Sequence, residues 1–252
     1  MHAWTQKGET SEHPEPWGLQ GVFTTLRSLP DRQIPFCNHH LDRLLDSAQK
    51  LGLPWIPSKE RLLDRLQEAL ESISPQEDRL VRLCLFENLL GIADRPAESD
   101  GNPVEGWLLS HRRPEPSIKS TADQKLYGSL HELDLKSEDW IIIDPKDNDL
   151  RETATSNLIF AEGNKLLIPD DRILKGIVLQ NLMPLLHDAF SVQAGRPKDQ
   201  DLAPFSEILL CGTGRGIAPL NSLSELGWSS QGNETFSRIR ALYDQMIEAA
   251  RD

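Results

Sequence analysis

Cysteine is scarce: three in 252 residues, at positions 37, 84 and 211. The number is odd and the spacing matches no metal-ligand pair, which speaks against a disulfide scaffold or zinc site and fits buried thiols in a reducing cytoplasm. Basic charge is short as well. Lys and Arg total 27 against 39 Asp and Glu, a net charge of −12, so nonspecific binding to nucleic acid or to an anionic membrane is not expected. No apolar run approaches the roughly 18 residues a spanning helix needs. Residues 1–10, MHAWTQKGET, lack the apolar core of a secretory signal. There is no internal repeat and no low-complexity tract. The expectation is a cytoplasmic protein with neither membrane nor nucleic acid as partner.

What is present is ordinary for a globular chain: 38% apolar and 26% charged residues, enough for one large domain or two modest ones. Residues 1–18 are polar, with Pro14, Pro16 and Gly18, and read as a loose lead-in. GVFTTLR at 21–27 is β-rich, and 34–37 reads as a second short strand. Leu41, Leu44, Leu45, Ala48 and Leu51 recur at helical spacing, with Asn38 as a plausible cap and Gly52 and Pro54 as the stop. A second helix follows Ser58, with Leu62, Leu63, Leu66, Ala69 and Leu70 on one face. Strands are predicted at 79–86 and 107–110, with a loop at 94–104 between them.

The segment RRPEP at 112–116 is dense in proline and reads as a linker. It divides the chain into a domain at 1–111, a linker at 112–118 and a domain at 119–252. The second domain is predicted to hold a helix near 123–133 and strands at 140–144, 157–160, 165–168 and 207–211. An apolar helix opens at Gly176 and is bent or ended by Pro184. An amphipathic helix closes the chain, with Phe236, Ile239, Leu242, Tyr243, Met246 and Ile247 on its buried face. Strands and helices mix without a regular βαβ rhythm, so the fold class is α+β.

Several residues can carry chemistry. Lys119 lies beside Ile118 and the hydroxyls of Ser117, Ser120 and Thr121. Desolvation there would free an amine able to condense with a carbonyl; the alternative is a surface lysine. Glu152 opens a run of small and hydroxyl residues, RETATSN at 151–157, and can either face a cationic ring nitrogen or sit solvated in a turn. Thr153, Thr155, Ser156 and Asn157 can donate hydrogen bonds inward or cap that turn. Arg43 stands one position off its leucine stripe, where it can reach an anion or pair with Asp46. Glycine-rich GTGRG at 212–216 and the amides of Ile177 and Val178 at a helix start can both cradle an anion. His39, His40, Cys37 and Asp42 have no paired ligand spacing, so no metal is expected.

Taken in order, GVFTTLR at 21–27, HLDRL at 40–44 with DSAQKLGLP at 46–54, IKS at 118–120, ETATSNLIF at 152–160, ILKGI at 173–177 and Gly212-Thr213 resemble the class IV aminotransferases, the fold-type IV pyridoxal-phosphate enzymes. The family includes branched-chain and D-amino-acid aminotransferases and 4-amino-4-deoxychorismate lyase, and the resemblance covers about residues 21–219. It implies a small N-terminal α/β domain, a larger C-terminal domain with a β-barrel-like core, pyridoxal 5'-phosphate between them, and a homodimer acting on a small-molecule amino substrate. Lys119 would hold the cofactor covalently and move protons at the substrate carbon. Glu152 would pair with the pyridine nitrogen. Arg43, Ser156, Asn157, Thr213 and the amides of Ile177 and Val178 would complete the cofactor site. Thr24, Thr25, Arg27 and Arg215 would take substrate carboxylates, and Tyr127 or Gln124 would meet the cofactor's phenolic oxygen. The sequence departs from the family at several points. Phe23-Thr24-Thr25 stands where the aminotransferases often have Glu at the second position, a pattern similar to the aminodeoxychorismate lyases. Leu19-Gln20 replaces the usual Gly-Asp, Val178-Leu179 the usual Thr-Arg, and Asp123 a frequent Asn. Phe23-Thr24-Thr25 and the short chain point to the lyase that forms p-aminobenzoate and pyruvate, with a branched-chain or D-amino-acid aminotransferase as the alternative; the lost family positions motivate a non-catalytic binding module as a lesser one.

Overall fold

The computed structural model describes residues 1–251. The chain forms two compact units. The first comprises Met1–Ala97 and Ser117–Gly128; the second comprises Glu98–Pro116 and Ser129–Ala250. Among the described residues no helix is long and apolar enough to cross a membrane. The division falls differently from the expected one. The strand at 104–110 pairs into the second unit's sheet, and the segment that carries Lys119 returns to the first. A proline-rich stretch marked a chain crossing, but sheet pairing on either side of it decides which residues cohere.

In the first unit, β1 (His2–Thr5), β2 (Val22–Ser28), β3 (Arg79–Leu85) and β4 (Leu89–Pro96) form an antiparallel sheet in the order β1-β4-β3-β2. The lead-in read as loose thus contributes an edge strand, and the start of the loop read at 94–104 lies in β4. Trp4 is buried in the core, which gives β1 an anchor that its polar surroundings in sequence do not announce. Residues 118–121 extend the sheet beyond β2: Val22 bridges Ser120, and the Phe23 amide donates to the Lys119 carbonyl at 2.9 Å.

Helices α1 (Cys37–Leu51) and α2 (Lys59–Glu71) supply the other half of this unit's core. Leu41, Leu44 and Ala48 of α1 are buried at the three- and four-residue spacing of one helical face. Gly52, at φ 70°, closes the helix by donating to the Ala48 and Gln49 carbonyls. The start differs from expectation. Phe36, in the left-handed region at φ 58°, precedes the first helical residue, and residues 34–36 form a turn rather than a strand. Pro35 has no amide for a ladder, and Ile34 packs against the core instead. Helix α2 is capped by Ser58, whose hydroxyl accepts from the Arg61 amide. Leu62, Leu66, Ala69 and Leu70 are buried, whereas Leu63 is 39% exposed. It lies about 100° around the helix from Leu62, off the buried stripe.

In the second unit, β5 (Val104–Ser110), β6 (Glu138–Ile143), β7 (Leu150–Thr153), β8 (Asn157–Glu162), β11 (Glu207–Gly212) and β12 (Gly216–Leu223) run in the order β8-β11-β12-β5-β6-β7. A further β7–β8 pairing, Glu152 opposite Asn157, closes the ring. This is a six-stranded barrel with no free edge within the ring. Strands β9 (Lys165–Ile168) and β10 (Ser191–Ala194) extend it from β8, and β13 (Trp228–Ser229) pairs with β12. Val104, Ile141, Leu150, Leu158, Phe160, Ile208, Leu210, Ala218 and Leu220 are fully buried in its core.

The helix expected near 123–133 is one turn, α3 (Gln124–Tyr127), continued as a 3-10 stretch at Gly128–Glu132. Helix α4 (Ile177–Ala189) runs on through Pro184 rather than ending there. Helix α5 (Glu234–Ala249) packs on α4 and β12. Its first amides, of Thr235 and Phe236, donate to the buried Glu207 carboxylate at 2.7 and 2.8 Å, an acid placed where the helix dipole favours it.

Candidate functional site

In the first unit the site is organised by strand alternation. Val22, Thr24 and Leu26 face the helices, so Phe23 and Thr25 face the other way. The neighbouring segment follows the same rule: Ile118 enters the core, and Lys119, level with Phe23, projects from the opposite face. Its Nζ lies 4.7 Å from the Phe23 ring centroid and 5.7 Å from that of Tyr127. Trp17 completes an aromatic group, with its ring 5.2 Å from both Phe23 and Tyr127. Tyr127 is buried beside Lys119, whereas Gln124 is exposed and lies against Gly18.

Thr24 and Thr25 therefore serve opposite faces. Thr24 is fully buried. Its Oγ1 accepts from Arg43 Nη2 at 3.0 Å and lies 3.1 Å from His40 Nδ1. The oxygen has two lone pairs, so beside the bond from Arg43 it can either give its proton to Nδ1 or accept one from an Nδ1–H. The His40 pKa is pushed well below its ordinary 6.5, first by burial and then by the positive charges of Arg43, Lys119 and His39. The imidazole is therefore neutral, with a single ring proton.

The arginines sort themselves by partner. Arg27 grips Asp78 with Nε and Nη2, Nε lying 2.9 Å from Oδ1. The proposed substrate role of Arg27 has to compete with that pair. Thr25 is opposite Arg82 of β3, which the sequence reading did not single out. The Arg82 guanidinium lies 4.7 Å over the Trp17 ring, and its Nε is buried without a hydrogen-bond partner. Alternation along β3, once its register to β2 is known, is the signal that finds it.

In the second unit, Glu152 is buried on β7. Its Oε1 accepts from Arg113 Nη1 at 3.0 Å and its Oε2 from the Leu174 amide at 3.1 Å. Arg113, read as part of a linker, is thus a buried counter-charge. Asn157 ties down the same segment: its Nδ2 donates to the Leu174 carbonyl at 2.9 Å, and its Oδ1 accepts from the Gly176 amide at 3.1 Å. Gly176 has to be glycine here, because a Cβ would meet Asn157 Oδ1 at 2.2 Å. The amides of Ile177 and Val178 follow at the head of α4, which no side chain caps. Ser156 is buried with its hydroxyl against Gly212, where a Cβ would come to 2.7 Å. Thr213 is half-buried at the tip of the β11–β12 turn.

Arg215 is a correction. It was expected to meet a substrate carboxylate, but it is 2% exposed and donates from Nε to Asp139 at 3.2 Å and from Nη2 to the Glu138 carbonyl at 2.5 Å. It is a structural arginine of the barrel. Asp144, Asp147 and Asp149 approach within ligand distance of one another. Arg151 already donates to Asp147 and to Asp149, each at 2.6 Å, so the cluster has its counter-charge.

Each unit by itself carries groups suited to an anionic, electrophilic ligand. An amine stands among aromatic faces, an arginine is oriented by a threonine, a buried carboxylate has its own guanidinium, and an uncapped helix head adjoins a small-residue cradle. The chain matches the amino-transferase class IV family over residues 21–223, and it belongs to that family. Among solved structures it is similar to a hypothetical aminotransferase from Mycobacterium tuberculosis in its PLP-bound form, at 20% identity over 99% of each chain and a TM-score of 0.77. It is also similar to the branched-chain aminotransferase of the archaeon Thermoproteus uzoniensis with norvaline, at 18% identity, 99% and 95% coverage and a TM-score of 0.83. The Escherichia coli branched-chain aminotransferase follows at 17% identity, 98% and 94% coverage and a TM-score of 0.76. These likenesses establish the fold. No curated protein sequence matches the chain.

Proposed function

We propose that the chain is a pyridoxal-phosphate enzyme acting on an amino substrate, and that its reaction is the lyase step releasing p-aminobenzoate and pyruvate from 4-amino-4-deoxychorismate. The observation that carries the cofactor reading is Lys119, an amine held over the rings of Phe23 and Tyr127 with Arg43 acting on the same buried His40. The uncapped head of α4 and the close fit of Gly176 on Asn157 suit a phosphate in the second unit. When bound, the cofactor supplies an electron sink for a carbanion at the substrate carbon.

The chain's own residues do the rest. Lys119 would hold the cofactor and move the proton at the substrate carbon. Toward a phosphate, the first unit would offer Arg43 and the second Thr213 and the Ile177 and Val178 amides, with Ser156 and Asn157 shaping the cradle. Glu152, paired with Arg113, would partner the ring nitrogen, and Tyr127 would partner the phenolic oxygen. Arg82 and Thr25, on the Lys119 face of the sheet, take a substrate carboxylate. The Trp17, Phe23 and Tyr127 rings suit a ring-bearing substrate, which supports the lyase reading; a branched-chain or D-amino-acid aminotransferase is the alternative. We further propose a cytoplasmic homodimer, which sedimentation would show as twice the 28.4 kDa chain.

The test is the visible spectrum of purified protein before and after borohydride, for wild type and Lys119→Ala. A chromophore fixed covalently in wild type and lost in the variant is expected. Colourless wild type that takes up no pyridoxal phosphate overturns the reading. Incubation with amino acid alone separates the two reactions: an aminotransferase leaves the aminated cofactor, while the lyase with its own substrate releases pyruvate and needs no acceptor.

A further inference from the structure

Asp139, on β6, is fully buried, and none of the roles above uses it. A single oxygen, Oδ2, accepts from Thr153 Oγ1 at 2.9 Å, from Thr155 Oγ1 at 2.5 Å and from Arg215 Nε at 3.2 Å. The threonines belong to the turn at 152–157, the arginine to the turn at 212–216. The chain of bonds continues from there. Thr153 Oγ1 accepts from the amides of Thr155 and Ser156 at 3.1 and 2.8 Å. The Ala154 amide donates to the Trp140 carbonyl, next to Asp139, at 2.9 Å. Arg215 Nη2 holds the Glu138 carbonyl on the other side. The two turns also touch directly, Ser156 Oγ against Gly212.

Stability alone is a poor account of this arrangement. Asp139 Oδ1 and Arg215 Nη1 are both buried with no hydrogen-bond partner, so one of the two carboxylate oxygens and one of the three guanidinium nitrogens are desolvated without return. A buried ion pair is at best a weak source of stability, and its better-attested use is to select one arrangement over others. Here the arrangement selected is the mutual register of two turns. One carries Glu152, Ser156 and Asn157; the other carries Thr213.

We propose that Asp139 is a positioning residue that locks the 152–157 and 212–216 turns together, so that their cofactor-binding groups are set before pyridoxal phosphate arrives. The ligand in this inference rests on the function proposed above; the tie between the turns does not. Groups aligned in advance lose no ordering free energy on binding, so loosening the tie weakens the cofactor without removing any group that touches it.

The experiment uses full-length protein freed of cofactor, as wild type, Asp139→Asn and Thr155→Val. The second variant removes one donor while keeping the Asp139–Arg215 pair, and it serves if Asp139→Asn fails to fold. Amide hydrogen exchange is followed by mass spectrometry, and pyridoxal phosphate is titrated by its absorbance. Exchange is expected to rise about tenfold in both turns together, with peptides from β2, β3 and β4 unchanged, and the cofactor Kd to rise about tenfold, the scale of one charge-assisted hydrogen bond. Asp139→Glu should recover part of both. Two results overturn the proposal: turns that exchange as in wild type, or loosened turns that bind cofactor as tightly as before. If wild type binds no pyridoxal phosphate, the proposed function fails, and the tie is decided by the exchange data alone.

Discussion

Arg43 reaches across from α1 and donates Nη2 to Thr24 Oγ1 on β2 at 3.0 Å. The same Oγ1 lies 3.1 Å from His40 Nδ1, so a single buried hydroxyl aims an arginine on one side and is held by an imidazole on the other. Thr24→Val keeps the shape and removes both bonds. We expect a stability loss of about 1–3 kcal/mol from the unsatisfied buried partners, measured by urea denaturation. Pyridoxal phosphate should also bind roughly tenfold more weakly through a misaimed Arg43. A variant with wild-type affinity would remove Arg43 from the phosphate site.

His40 also sets a pH dependence. It is neutral in the folded chain because burial, with Arg43, Lys119 and His39, holds its pKa well below 6.5. Unfolded, it takes a proton near pH 6.5. Below that pH the unfolded chain binds more protons than the folded one, so the His40 contribution is complete above about pH 6.5 and is lost as the pH falls toward the folded pKa. Thermal denaturation from pH 8 to pH 5 should show a steeper decline for wild type than for His40→Gln. The His13 pKa is also lowered, chiefly by burial, and its share of the slope stays in both proteins.

Two arginines on one sheet should behave in opposite ways. Arg82→Ala, on the face with Lys119, is expected to raise KM at least about tenfold with little change in melting temperature, as for lost charge-assisted binding. Arg27→Ala breaks the pair with Asp78, whose side chain is 29% exposed. It should cost about 1 kcal/mol of stability or less, with KM nearly unchanged. Steady-state kinetics and melting of the two variants check this, and a reversed pattern would restore Arg27 as the substrate ligand.

The Arg113–Glu152 pair is buried on both sides, with side chains 5% and 7% exposed. Arg113→Met leaves a carboxylate in the barrel wall with one amide partner, and about 3–5 kcal/mol of destabilisation is expected. The double variant Arg113→Met, Glu152→Met should recover much of that loss in the cofactor-free protein, yet bind pyridoxal phosphate no better. Denaturation and absorbance titration separate the two effects.

Burial pushes the Cys84 thiol up to about 12 and raises that of Cys211 as well. Cys37, half-buried, is raised mainly by burial, against the pull of Lys59. Because the thiolate is the reactive form, a thiol reagent at pH 8 should label the native protein slowly at Cys37 and leave the other two untouched. In denaturant all three thiols should react. Rapid native labelling at Cys84 or Cys211 would contradict the burial.

Much of this protein could be read from local pattern, because helix stripes, caps and glycine turns are set by residues a few positions apart. The α1 stripe of Leu41, Leu44 and Ala48, the Ser58 cap of α2, the order of the family segments, and the two-part α+β architecture all belong to that class. The tertiary structure alone decided which charged groups meet an acid and which do not. Arg27, Arg82, Arg113 and Arg215 look equally available along the chain. Their roles follow from partners such as Asp78, Glu152 and Asp139, distant in sequence and brought close by cross-strand register. Burial acts in the same non-local way. It makes Arg215 a barrel strut, turns Arg113 from linker into counter-charge, and places Lys119 with the first unit rather than the second. A guanidinium's role depends on the acid it meets and the water it loses, and both are settled only when the sheets close.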